Sequence, residues 1–287
     1  MTIAHNYEAN LAKVMAHLRA EFSNDIDQIM GTVAPDPRFF IVTREHGELE
    51  LEVAETPAAV RGHYVNLRTS LDVVRSRQIR RIVSDWFVFQ QSVATMRARA
   101  GLDDHSVEPH DFAVDTAVLF PIAAGGILVE IPWNRTSFAE AAMATRSVHH
   151  EPPTEELMET VDLHEAFLGA WCTGDGQKVV DLLEEDCALG IRSCTDADGP
   201  MCVGAGKEAI RIALEEQFLS WKPVSFTILN LVVTDWYVFA NVRWIGDALS
   251  DSGAWSPHEM STATILPVSG AQRFQAILGY GTSLVPL

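Results

Sequence analysis

The sequence predicts an α+β chain built as two copies of one domain, and three observations carry that reading. Ile82-Val83-Ser84-Asp85-Trp86-Phe87-Val88-Phe89 returns 150 residues later as Val232-Val233-Thr234-Asp235-Trp236-Tyr237-Val238-Phe239. The same offset aligns Ala59-Val60-Arg61 with Ala209-Ile210-Arg211, Leu18 with Leu168, Asp25 with Asp175, and Ile29-Met30 with Val179-Val180. A constant offset of this kind marks a repeated unit. Within each copy helical patterns come first and long strand patterns follow, which is the order of an α+β domain. The expected boundaries are residues 1–146 for the first copy, 147–153 for a linker rich in His and Pro, and 154–287 for the second.

Leu11, Val14, Met15, Leu18 and Phe22 recur at spacings of three and four, one apolar stripe of a helix. Ser23-Asn24-Asp25 caps a short second helix that ends before Pro35-Asp36-Pro37. Residues 38–43 and 49–53 read as two strands of a hairpin around 45–48. Thr56-Pro57 opens a third helix, with Val60, His63, Tyr64, Leu67 and Leu71 on one face. Strands are then expected over 78–84, 86–97, 116–122 and 127–133, antiparallel throughout, with a loop over 101–115. The second copy repeats the order: helices around Leu157 to Leu168, Val179 to Leu183 and Gly206 to Phe218, then strands over 224–234, 236–245, 261–268 and 273–279.

Composition narrows the function classes. The net charge of −18 falls unevenly, −5 over residues 1–147 and −13 over 148–287, and an acidic surface repels phosphate backbones, so nucleic acid is not an expected partner. No apolar run reaches membrane length and the N-terminus carries no signal pattern; the expectation is a cytoplasmic protein away from membranes. Cys172, Cys187, Cys194 and Cys202 lack disulfide or zinc spacing and read as free thiols. Arg75, Arg77, Arg80, Arg81, Arg97 and Arg99 fit a solvated sheet face or an anion contact. No metal, phosphate-loop or dinucleotide motif is recognisable, so no cofactor is expected.

Asn24-Asp25 and Gly174-Asp175, the helix start Gly206-x-x-Ala209-Ile210-Arg211 and the Asp-Trp-aromatic-Val-Phe strand resemble the SnoaL-like and ketosteroid-isomerase-like domains of the nuclear-transport-factor-like superfamily. The resemblance covers the whole chain, twice. It implies two tandem cone-shaped domains, each a curved antiparallel sheet wrapped around three helices with an apolar pocket inside. It also implies a small apolar or amphipathic substrate, acid/base chemistry of lyase, isomerase or cyclase type without a cofactor, and packing of the copies as a pseudo-dimer, with a further homo-oligomer open. Where ketosteroid isomerases carry a catalytic carboxylate this chain has Phe40-Ile41 and Ile191-Arg192, and at their oxyanion-binding tyrosine it has His17 and Phe167. The alternative is a non-catalytic ligand-binding or scaffold protein of the same fold.

Candidate site residues follow from residue chemistry. His110-Asp111 and His258-Glu259 stand before a strand that the resemblance places along the pocket, and a histidine beside a carboxylate suits general acid/base work. Neighbours on a strand point to opposite faces, so a plain strand entrance is the competing reading. His17, His63 and His164 sit on helix faces as catalytic candidates or hydrogen-bonded core residues. Tyr64, Trp86, Phe89 and Trp236 are candidate substrate contacts or core. Asp85 and Asp235 suit hairpin turns. The first copy, richer in polar candidates, is expected to hold the better-formed polar pocket.

Overall fold

The computed structural model describes residues 6–45, 48–99, 110–143, 153–193, 202–250 and 252–287. The chain divides into two compact units, residues 1–45 with 52–150 and residues 46–51 with 151–287. It runs first through α1 (Tyr7–Ser23), α2 (Ile26–Met30), β1 (Phe39–Glu45), β2 (Glu48–Ala54), α3 (Pro57–Ser70), β3 (Leu71–Val83), β4 (Phe87–Ala98), β5 (Asp111–Ala123), β6 (Gly126–Ile127), β7 (Ile131–Asn134) and α4 (Phe138–Met143). There follow α5 (Thr154–Cys172), α6 (Gly176–Val180), β8 (Leu183–Ser193), β9 (Cys202–Ala205), α7 (Lys207–Ser220), β10 (Trp221–Val233), β11 (Tyr237–Leu249), β12 (Trp255–Pro267), β13 (Phe274–Gly281) and β14 (Val285–Pro286).

Local chemistry explains where helices begin and end. Asp25 caps α2 by accepting from the backbone N–H groups of Asp27 and Gln28, and Asp175 caps α6 through Gln177 and Lys178. The residue before each cap has a left-handed backbone, Asn24 at φ 54° and Gly174 at φ 63°, the two residue types that tolerate it best. Thr56 accepts from the Ala59 N–H and Pro57 stands in the first turn, so α3 starts where the sequence indicates. α3 ends at Ser70 and β3 begins at the next residue, so Leu71 belongs to the strand and not to the helix face, and this strand starts well before Gln78.

β3, β4 and β5 form an antiparallel sheet, with β6 and β7 both paired to β5; in the second unit the order is β10-β11-β12-β13-β8-β9, with β14 on β12. One expectation is corrected here: β8 and β13 pair in parallel. A parallel neighbour needs a crossover in place of a hairpin, and here the chain between them includes a helix and four strands. The expected loop over 101–115 is corrected at its end, since β5 begins at Asp111, and β12 begins at Trp255 and not Ser261. α4 and β14 were not foreseen. Residues 101–109 and most of the expected linker lie outside the described residues. β3 carries bulges between Val73 and Arg75 and between Gln78 and Arg80, and β10 carries them between Pro223 and Ser225 and between Ile228 and Asn230, the same positions 150 residues on. Bulges bend and twist the strand that holds them.

The second unit is filled by one apolar cluster that includes Phe167, Trp171, Leu214, Phe218, Trp244, Phe274 and Ile277. The first unit packs Val14, Leu18, Val88 and Phe120 into one cluster and Leu71, Ala98, Phe112 and Ala141 into another. No described helix is long and apolar enough to cross a membrane.

Candidate functional site

In the first unit a cavity of about 100 Å³ lies between α1, α3 and side chains of β4 and β5. Most of its wall is apolar, with Leu18, Phe22, Phe39, Val118 and Phe120, but Glu21, His63, Tyr64, Gln90 and Glu130 also face it. His17 and Glu21 are four residues apart on α1, and Tyr64 and Arg68 four apart on α3, so each pair shares a helix face. Glu130 comes from the irregular segment just before β7.

These groups form one network. The Thr32 hydroxyl donates to the Ile29 carbonyl, so its oxygen is left to accept from His17 Nδ1 at 2.6 Å. That fixes the imidazole, whose Nε2 faces the Tyr64 hydroxyl at 3.3 Å and Glu130 Oε2 at 3.5 Å. The Tyr64 hydroxyl donates to Glu130 Oε2 at 3.1 Å. Arg68 Nη2 meets Glu21 Oε1 at 3.5 Å, a long contact between two buried groups. Thr32 is itself held by a close backbone approach: the Ile127 N–H donates to its carbonyl, and a Cβ on Gly126, at φ 144°, would lie 2.7 Å from that oxygen.

The environment drives the two carboxyl groups apart. Burial, and then the charge of Glu130, raises Glu21 to about 7. Burial alone would also raise Glu130, but the hydrogen bond and charge of His17, the Tyr64 hydroxyl and the charge of Arg68 together hold it below the ordinary carboxylate range. Burial opposes the charge on His17, yet its bond to Glu130 and the nearby Glu21 outweigh that and raise its pKa. Tyr64 is pushed well above the usual phenol value by burial and by Glu130, so it remains a donor.

Of the residues singled out from sequence, Tyr64 and His63 line this cavity and His17 lies directly behind its polar end. His63 Nδ1 is 3.3 Å from Glu52 Oε2. The other candidates are not among the residues that line the cavity. His110 and Asp111 are exposed: His110 Nε2 sits 3.0 Å from the Ala142 carbonyl, and Asp111 is gripped by Arg97 at 2.7 Å. Neither is among the side chains that line the cavity, although Met96, beside the Arg97 that pairs with Asp111, is. His258 and Glu259 pair with Pro286 and Val285 of β14, and His258 Nδ1 contacts its own strand at the Ser256 carbonyl. His164 is buried and stacked on Phe167, with Nε2 unpartnered among the described residues; burial lowers its pKa to about 4, so it stays neutral. Phe89 is fully buried in the sheet, and Trp86 and Trp236 pack on Phe87 and Tyr237 at the β3–β4 and β10–β11 turns, none of them at the cavity. Cys187 and Cys202 are buried thiols pushed up to about 11 and about 12, which leaves them protonated.

Glu21, Arg68 and Glu130 were missed. The signal was present in the repeat: 150 residues on, His17 becomes Phe167, Glu21 becomes Trp171, Tyr64 becomes Leu214 and Arg68 becomes Phe218. The absence of metal-ligand spacing in the sequence is also qualified, since ligand atoms of His17, Glu21 and Glu130 lie within 4.8 Å of one another, close enough for a cation. Each of the three already has a partner, in Thr32, Arg68 and Tyr64 respectively, and the site thereby carries its own positive charge.

No family model matches the chain, and no curated protein does. Among solved structures it is similar to a ketosteroid isomerase-like protein from Erwinia carotovora atroseptica SCRI1043, at 18% identity over 47% of this chain and 100% of that one, with a TM-score of 0.37. It is likewise similar to a SnoaL-like protein from Shewanella denitrificans OS-217 (5% identity, 47% of this chain, 96% of that one, TM-score 0.39). A third is a protein of ketosteroid isomerase-like fold from Catenulispora acidiphila DSM 44928 (15% identity, 49% of this chain, 97% of that one, TM-score 0.35).

Proposed function

We propose that the chain is a proton-transferring enzyme of lyase or isomerase type, built from two tandem cone domains of which the first carries the working site. The observation that supports this best is the pair of carboxyl groups in one cavity with pKa values driven apart, Glu130 downward and Glu21 up to about 7. Such a split assigns an ionised base and a protonated acid to the same small space. Glu130 takes a proton from carbon, Glu21 donates one to the oxygen on which charge develops, and Tyr64 keeps Glu130 in place. His17, behind them, is a positioning residue: anchored on Thr32, it holds Glu130 ionised. A cavity of about 100 Å³ is smaller than the ~150 Å³ that accommodates benzene, so the substrate is a molecule of a few heavy atoms.

The test is proton exchange. Small carbonyl compounds incubated with the full chain in D2O should exchange an acidic C–H for C–D, read by proton NMR. Glu130→Gln should slow exchange by about a hundredfold to ten-thousandfold. The rate should rise with pH as Glu130 ionises and fall as Glu21 loses its proton near pH 7. A panel that shows no exchange, or a Glu130→Gln protein of full activity, leaves the ligand-binding alternative in its place.

A further inference from the structure

The sheet side of the cavity carries a row of polar side chains that the protein itself leaves unused. On β4 every second residue from Gln90 to Met96 lines the cavity, on β5 every second one from Thr116 to Phe120, and on β7 Asn134 does so. Alternate residues of a strand point to one face, so it is these side chains, and not the backbone, that face the space. Ser92 pairs with Thr116, and Thr116 with Asn134, which sets the three side by side across three strands. Ser92 and Thr116 are only 2% and 8% exposed. Yet the two hydroxyls and the Asn134 amide have no hydrogen-bond partner among the described residues, and none of them is sealed inside the packing. Gln90, one step along β4, has its Oε1 taken by Arg81 at 2.9 Å and only its amide N–H groups left to offer. Buried polar groups without partners cost free energy, and several that open on one space mark where a polar group of a ligand belongs.

The second unit shows what the row lacks. There Val242 pairs with Thr262, and Thr262 with Gly281, so Thr262 holds the place of Thr116 while Val242 and Gly281 stand for Ser92 and Asn134. The Thr262 hydroxyl accepts a hydrogen bond from Trp244 Nε1 at 2.9 Å. Trp244 corresponds to Ala94, which lines the cavity. Thr116 thus keeps the acceptor and faces open space where the other copy supplies an N–H donor. A ligand that fills this space in the same way brings a donor of its own, which a hydroxyl group does and a carboxylate or a simple ketone does not. Charge points the same way. No lysine or arginine among the described residues lines the cavity, so an anion would meet Glu130 with no cation at hand.

We infer that the substrate of this cavity is a small uncharged molecule with a hydroxyl group, and that Ser92, Thr116 and Asn134 hold that hydroxyl. The inference rests on the cavity being the working site proposed above and adds the class of molecule it takes. Glu130 and Asn134 are four residues apart in the chain, on the order of 13 Å in extended backbone. A short ligand, its contact at either end and the side chains reaching in from both sides together span that length. The hydroxyl then lies at the end of the molecule away from the carbon that Glu130 deprotonates.

The experiment titrates the full chain with hydroxyacetone and with butanone, which has a methyl group in place of the hydroxyl, and follows backbone amide NMR shifts; sodium propanoate is the anionic control. The wild-type protein should bind hydroxyacetone about tenfold more tightly than butanone, as one well-made hydrogen bond contributes. In D2O the Glu130-dependent exchange should fall on the methyl carbon of hydroxyacetone. Thr116→Val and Ser92→Ala remove the hydroxyls with little change of shape. The binding ratio should fall severalfold in each and come close to one in the double variant. Urea midpoints should not fall, because these hydroxyls bond nothing in the protein, and a purely structural role would lower them. Should the double variant not fold, Asn134→Leu serves, with a severalfold fall in the ratio. Equal binding of the two ketones by the wild-type protein, binding of neither, propanoate bound as tightly as hydroxyacetone, Glu130-dependent exchange at the hydroxymethyl carbon, or an undiminished ratio in the variants each overturns the inference. The two readings fail separately. A protein that exchanges protons of both ketones in a Glu130-dependent way but binds them equally loses only the role of the polar row. One that prefers hydroxyacetone but loses nothing on Glu130→Gln loses only the acid/base assignment.

Discussion

Five positions of the first unit and their counterparts in the second show how one framework serves two purposes. His17, Glu21, Tyr64 and Arg68 correspond at a constant offset to Phe167, Trp171, Leu214 and Phe218. Glu130 precedes the strand residue paired with Leu119, and Ile277 precedes the residue paired with Ile265, so these two correspond as well. In the second unit the space is filled with rings: Trp171 lies edge-on to Phe218 and tilted against Trp244, and Phe167 meets Phe274 edge-on. In the first unit Ala94 stands where Trp244 does, and a cavity remains. A polar, partly empty interior is expensive to fold, and an apolar, filled one is not. On the function proposed above, the second unit serves as scaffold and the first as site.

The largest expected effect tests the filled side of that comparison. Trp171→Ala should cost about 3–5 kcal/mol in urea unfolding, as for any large ring removed from a packed core. A cost below about 1 kcal/mol would mean that the second unit is not close-packed around this ring.

pH should separate the units by sign. His164 has a folded pKa near 4 against about 6.5 when unfolded, so the unfolded chain binds the proton first. Its contribution is present above pH 6.5 and lost as pH falls toward 4, about 3 kcal/mol in all, and His164→Val should flatten that acid limb. Glu21 runs the other way. Its folded pKa is raised, so the folded state binds the proton more tightly, and stability falls as pH rises from about 4.3 toward 7. Glu21→Gln should remove that decline, with a smaller net effect because Arg68 then loses its partner. Urea midpoints at pH 5, 7 and 8.5 for the three proteins measure both slopes, and slopes of the same sign for the two variants would break the comparison.

The smallest effect is expected at His110. His110→Ala should change stability by no more than about 0.5 kcal/mol, the usual range for a surface site. It should leave proton exchange unaltered.

The sequence displayed the framework well because repetition displays it. Caps at Asp25, Asp175 and Thr56 and the 150-residue shift of α3 to α7 and β3 to β10 follow from local rules that each copy obeys by itself. The site was harder to see because its polar members hide inside apolar patterns. Glu21 falls between Leu18 and Phe22 in the stripe of α1, and Glu130 sits between Val129 and Ile131 in a run that reads as strand. His110-Asp111 attracted notice because both copies carry a similar pair, yet repetition marks what the framework needs. Function, in a diverged pair, lies where the copies differ: a glutamate opposite a tryptophan is a stronger pointer than a histidine opposite a histidine.

The junction of α3 with β3 bears on how a ligand gets in and out. Ser70 ends the helix and Leu71, 2% exposed, begins the strand, so no free residue stands between them to absorb a change in backbone torsion. Tyr64 and Arg68 therefore ride on an arm welded at its C-terminal end to a thirteen-residue strand, and hinge motions need terminal residues that can turn. Side-chain rotation at half-buried groups that line the cavity, such as His63 and Leu67, offers a passage that needs no hinge at this junction, and it proceeds in nanoseconds when exposed. On the function proposed above, turnover in such a cavity is limited by the proton steps themselves and not by a hinge at this junction.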